Sequence, residues 1–346
     1  VPITDLRIHQ RDVIAATQGR AFWVLDDLEL IRQYEGSKKE AFLYQPADVI
    51  RLNAGSPLDG NTDDFDGTDA TVGINPATGM VLYYELPEAM VDEDLELQIM
   101  GPSGDVHRTY SSEADPDFET YDGGPSAEAT LPKKVGLNRF VWDLRNESLL
   151  GIPSAYIEGS YRGGRVAPGK YTLQLKVGAA SLKVEAEVLP HPGYEVSEKA
   201  YGEQAGFIQA VSVQINTMHQ AVNDLQAVRA RLVAMMPRIA VTATELRANC
   251  QQLLKTIDAW DGKLVQRKSQ SYDDVINFEN GLTADYFFLK GQADSNFPNV
   301  TKAMGARLNE LDRMWQPLEE EYQTITQKII PGLEQKLLDA GIGVLR

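Results

Sequence analysis

The chain has 346 residues, 43% hydrophobic and 24% charged, which supplies apolar material for more than one core and exceeds the length of an ordinary single domain. Its formal net charge of −17 repels phosphate backbones and anionic lipid, so nucleic-acid binding is not expected. No apolar run approaches the ~20 residues that cross a bilayer, and the single cysteine, Cys250, rules out an internal disulfide and a cysteine-built zinc site.

The chain opens Val1-Pro2-Ile3-Thr4 without a starting methionine, so it reads as a processed product or an excised piece of a longer polypeptide. Residues 1–33 read as two strands and a turn. Leu6 and Ile8 alternate with Arg7 and His9, and Val13 to Thr17 passes through Gln18-Gly19-Arg20 into Phe22 to Leu25. Two short strands cannot bury both faces unaided, so they require a sheet that is not visibly encoded after them. Residues 34–75 are dense in turn formers and charge, as in Asn53-Ala54-Gly55-Ser56-Pro57, and read as a linker and acidic loop.

Residues 76–190 read as β. Met80 to Leu86, Leu95 to Ile99, Val106 to Tyr110, Leu137 to Leu144, Tyr171 to Val177 and Leu182 to Val188 alternate with period two between glycine and proline turns. That is the pattern of an immunoglobulin/fibronectin-like sandwich with one wet face. Trp142 is placed as its core tryptophan and Tyr171, after Pro168-Gly169, as a corner tyrosine. Between Gln45 and Thr130, 19 acids stand against Arg51 and Arg108 alone, an excess equal to the net charge of the whole chain.

Residues 197–346 read as an antiparallel bundle of long helices. The series Val211, Ile215, Met218, Val222, Leu225, Leu232 makes a helical seam, and Pro237 limits that helix. A second helix is expected over 242–268 and a third over 271–290. A fourth runs from Val300, kinked at Pro317 and interrupted at Pro331. Cys250, Trp260, Phe278, Phe287, Phe288 and Trp315 are expected in the bundle core. Arg229, Arg231, Arg247 and Lys255 alternate with acids and read as a solvated face.

Few constellations carry chemistry. His9, His107, His191 and His219 lie on different elements, with no spacing that builds a metal site or a Ser-His-Asp triad. Gly164 to Lys170 spells most of a phosphate-binding loop. However, Tyr171 stands where Ser or Thr must hold magnesium, and the segment leads into a strand, so that reading is rejected. Asp59, Asn61, Asp63 and Asp66 alternate as calcium-loop ligands do. Asp64 replaces the required glycine and Ala70 the terminal glutamate, which leaves a solvated acidic loop as the competing reading. Asp26-Asp27 and Asp92-Glu93-Asp94 read as turn acids at strand ends. Tyr83, Tyr84, Trp142, Tyr156 and Tyr161 are candidates for a sugar-stacking surface, provided that they form an exposed strip rather than core. No catalytic residue is assigned.

Three motifs together resemble one family. Val1 to His9 followed by Thr17-Gln18-Gly19-Arg20-Ala21-Phe22-Trp23-Val24-Leu25-Asp26-Asp27 resembles the last repeat of bacterial sortilin-like propeller proteins. These carry neuraminidase-type (Asp-box) repeats and are often labelled glycosyl hydrolases. Gly73 to Tyr84 resembles the segment opening the sandwich after the propeller, and Gly136 to Arg145 with Pro168 to Tyr171 its later strands; the helical part matches only in kind. The resemblance implies a secreted or periplasmic parent with propellers upstream of Val1, and makes 1–33 terminal propeller strands. It places any glycosidase carboxylates in those propellers, outside this chain. The expected role is a non-catalytic structural or interaction module, partnered by the upstream propeller or by another protein. The alternative is an accessory module that holds polysaccharide for a glycoside hydrolase.

Overall fold

A computed structural model describes residues 1–60 and 74–345. It contains β-sheets and a helical region, and the chain divides into two compact units. The first comprises residues 1–117, 128–147 and 165–202, and the second residues 118–127, 148–164 and 203–346.

The first unit opens with three strands, not two. They are β1 (Ile3–His9), β2 (Asp12–Thr17) and β3 (Phe22–Leu25), paired antiparallel in that order. The extra strand arises because Gly19, at φ 89°, turns the chain back before Phe22. A short helix α1 (Glu29–Gln33) follows. Residues 34–60 are more ordered than a linker. They contribute β4 (Phe42–Leu43) and β5 (Val49–Ile50), each a two-residue strand borrowed by a larger sheet.

The remaining strands are β6 (Met80–Leu86), β7 (Leu95–Met100), β8 (Val106–Ser111), β9 (Gly136–Trp142), β10 (Gly169–Val177) and β11 (Ala180–Leu189). They form a five-stranded sheet, β5-β11-β10-β7-β8, and a three-stranded sheet, β4-β6-β9. The alternation in sequence explains how both close on one core. Met80, Leu82 and Tyr84 of β6, Phe140 and Trp142 of β9, Leu97 and Ile99 of β7, and Leu173 and Leu175 of β10 are all buried in a single cluster. Trp142 is fully buried and its indole N–H donates to the Arg145 carbonyl at 3.0 Å. Tyr171 packs edge-on against it at 5.4 Å and donates its hydroxyl proton to the Ala167 carbonyl, four residues upstream, at 2.7 Å. Gly169 opens β10, so the phosphate-loop-like stretch leads into a strand.

The second unit is built on α2 (Glu198–Met235, counted from Glu203), α3 (Thr244–Leu264), α4 (Leu282–Ala293), α5 (Lys302–Thr324) and α6 (Ile330–Asp339). Every member of the α2 seam from Val211 to Leu232 is buried, together with Cys250, Trp260, Phe287 and Trp315. Phe288, expected beside them, is 70% exposed, because residue 288 follows Phe287 by 100° of helix turn and faces away. The expected third helix over 271–290 is broken. Tyr272–Ile276 forms a 3₁₀ turn, and α4 begins only after Gly281. A Cβ at Gly281 would lie inside van der Waals contact of the Leu264 carbonyl, and Thr283 Oγ1 donates to that same carbonyl at 2.8 Å. The close approach fixes the helix start there.

Pro317 lies inside α5 without ending it. Ahead of Pro331 the helix widens over Ile325–Ile329, where Ile330 N–H donates to the Ile325 carbonyl five residues back. This wide turn accommodates a proline that has no N–H to give. The segments 118–127 and 148–164 fall inside the β range by sequence, yet they cluster with the helices. Leu149, Ile152, Ala155, Ile157 and Tyr161 join the helical core.

Candidate functional site

The outward face of β6 carries Val81 and Tyr83 between its buried residues, and cross-strand pairing sets Arg139 of β9 directly beside Tyr83. These side chains form one wall of a cavity of about 390 Å³ in the first unit. Val49 and Ile50 of β5, Leu52, Leu58 and Pro76 extend the apolar wall. Arg11 of the β1–β2 turn, Asp12, which opens β2, and Asp26 and Asp27, which follow β3, stand at its rim with Asp48. Volume and mixed lining are those of a small-molecule site.

Backbone groups hold most of the rim in place. The Asp12 carboxylate accepts the Asp27 N–H at 3.0 Å, and Asp27, in the left-handed region at φ 55°, accepts the Glu29 N–H at 3.1 Å. Asp48 accepts the Glu187 N–H at 3.1 Å, and its carbonyl receives Arg11 Nη2 at 2.6 Å. Arg139 donates to the carbonyls of Leu58, at 2.6 Å, and Gly60, at 3.2 Å. Asp26 differs. It is exposed at the rim; among the described residues its carboxylate has no hydrogen-bond partner, and partial desolvation, then the charges of Asp12 and Asp27, raise its pKa from the ordinary aspartate value. Four carboxylates against two guanidinium groups leave the cavity negative.

The calcium reading rests on Asp59, Asn61, Asp63 and Asp66. The last three lie outside the described residues. Asp59 is engaged locally: it accepts the Thr78 N–H at 2.6 Å, the Thr78 hydroxyl at 2.8 Å and the Ser56 N–H at 2.9 Å. Among the described residues no group of three or more His, Cys, Asp or Glu is placed to hold a metal ion.

The sugar-stacking candidates scatter. Tyr84, at 1% exposure, and Trp142 belong to the core of the first unit, and Tyr161, at 5%, to that of the second. Burial removes the ring faces on which a pyranose would stack, which corrects the expectation for Tyr84 and Tyr161 and agrees with the placing of Trp142 in a core. Tyr83, in the first unit, and Tyr156, in the second, are half-buried. Tyr83 alone lines the cavity at β6. A second hollow of about 510 Å³, in the helical unit, is lined by Val213, Asn216, Gln220, Trp315 and Tyr322 and brings together neither paired acids nor a histidine.

Sequence reading missed Arg11, Asp12, Asp48 and Arg139 as members of one site, and placed Asp26-Asp27 only at a turn. The available signal was acids at two strand ends, Asp12 and Asp26-Asp27, on strands that pair: Asp12 sits opposite His9, and Val13 opposite Leu25. No family model, curated protein or solved structure matches the chain. No helix among the described residues is long and apolar enough to cross a membrane.

Proposed function

We propose that this chain is a non-catalytic structural and interaction module of a secreted or periplasmic propeller protein. In this reading β1–β3 are the outermost strands of a sortilin-like propeller, residues 76–190 an immunoglobulin-like sandwich, and residues 197–346 an antiparallel helical bundle. The observation that carries the proposal is the state of the first sheet. Pairing puts Leu6, Ala15 and Trp23 in one row and Ile8, Val13 and Leu25 in the next, on the same face. All six of these side chains are apolar, yet Leu6 is 60% exposed, Ile8 67% and Leu25 51%. A face of this composition is one that folding normally covers, and a second sheet packed about 10 Å away is what covers it in all-β architectures.

The test is to prepare the polypeptide with its native upstream sequence and compare Trp23 fluorescence quenching and amide exchange of β1–β3 with those of residues 1–346 alone. Protection in the longer chain supports the proposal. Equal exposure in both would sink it. A non-catalytic module also predicts no turnover of glycans by the isolated chain; hydrolysis abolished by substituting one of its own acids would overturn that.

A further inference from the structure

The cavity beside β6 combines an apolar floor with carboxylates that lack cationic partners. Val49, Leu52, Val81 and the Tyr83 ring offer a surface for a hydrocarbon body. The two guanidinium groups present are directed at backbone carbonyls, Arg11 at Asp48 and Arg139 at Leu58 and Gly60. Among the described residues neither forms an ion pair with a cavity carboxylate.

We propose that this cavity binds an organic cation, a primary ammonium or guanidinium group carried on an aliphatic stem. The head group meets the Asp26 carboxylate, flanked by Asp12 and Asp27, and the stem lies along the floor against Tyr83. Each alternative class leaves part of the site unsatisfied. A bare divalent ion finds no group of three ligands among the described residues and leaves the apolar floor wet. A neutral sugar leaves the repulsion among Asp12, Asp26 and Asp27 in place. An anion meets net negative charge. A stem that displaces water from the rim strengthens the ion pair, which in open solvent contributes little.

The charged groups around Asp26 are Asp12, Asp27, Asp48, Arg11 and Arg139. Partial desolvation and like charge hold its proton more firmly than usual, and an ammonium group there favours the ionised form. Binding therefore weakens as pH falls into the range where the carboxylate takes up its proton. This inference is independent of the propeller reading, since it concerns only the cavity lining.

The experiment is calorimetric titration of the whole chain at low salt with cadaverine, spermidine, agmatine and a blocked lysine, set beside calcium chloride and maltose. The expected result is saturable binding of one equivalent of amine, weaker at pH 4 than at pH 7. Asp26→Asn lowers affinity about tenfold and Tyr83→Leu also lowers it, while Glu113→Gln changes nothing. Circular dichroism melting confirms that each variant folds. Blocked lysine binding as tightly as the diamines identifies a protein side chain as the source; binding of the free diamines alone identifies a small amine. Several weak equivalents insensitive to Asp26→Asn are counter-ion attraction to an acidic surface and overturn the proposal. Calcium or maltose binding with the amines silent overturns it as well.

Discussion

His219 is a fully buried titratable residue of the helical unit. Its Nδ1 lies 2.5 Å from the Leu150 carbonyl, which only accepts, so Nδ1 carries the proton and the ring is neutral. Nε2 is buried without a partner among the described residues, and the ring packs beside those of Tyr161 and Phe287. Burial dominates over the carbonyl contact and lowers the pKa to about 4 from 6.5. The folded-state value is depressed, so the unfolded chain binds the proton first. Stability is at its full value above pH 6.5 and is lost as pH falls from there through 4. A shift of that size corresponds to about 3 kcal/mol. In urea titrations at pH 7 and pH 4, His219→Gln should lose less stability on acidification than the native chain does, by about that amount. A stability gap between the two proteins that stays constant over this range would show that His219 does not titrate as a buried neutral ring.

At the scale of elements, legibility followed period and length. The strands over 80–86, 95–100 and 169–177 and the seam of α2 were readable because three or more alternating or heptad-like positions each repeat a buried choice. β4 and β5 were invisible: two residues contain no period, and only their pairing with β6 and β11 makes them strands. The break before α4 was missed because contact with Leu264, distant in sequence, sets it, and its local sign is only the dipeptide Asn280-Gly281. The cavity was illegible for the same reason, since its lining comes from turns and strands between residues 11 and 139. Two glycines put this distinction to the test. Gly281 has an ordinary φ of −76°, so only space forbids a side chain there, and Gly281→Ala should destabilise the chain by about 1–3 kcal/mol. Gly305, inside α5, has nothing within 4 Å of its added Cβ, and Gly305→Ala should stabilise by about 0.5–1 kcal/mol through helix propensity. Urea midpoints that move the same way for both substitutions would refute the steric account of the α3–α4 turn.

At the scale of the whole molecule, the sheet β1–β3 is the feature that sets behaviour in solution. Among the described residues its strand order leaves β1 and β3 as free edges, and one face carries the apolar rows Leu6-Ala15-Trp23 and Ile8-Val13-Leu25. A short sheet with two open edges and an uncovered apolar face promotes association, edge to edge or face to face, whatever its physiological partner is. Ile8 and Trp23 are exposed, so they contribute little to the fold itself. Ile8→Lys with Trp23→Lys should therefore lower 1-anilinonaphthalene-8-sulfonate binding and shift sedimentation at high protein concentration toward monomer. Unfolding free energy should change by no more than about 0.5 kcal/mol per substitution. A marked loss of stability would mean that this face is already buried within the chain. Unchanged sedimentation would move the origin of any self-association elsewhere, for instance to Ile276 and Phe288 of the helical unit, which are 83% and 70% exposed. The two surfaces separate cleanly by salt as well. Burial of the apolar sheet face strengthens or holds as ionic strength rises, whereas attraction of a cation to the acidic cavity weakens.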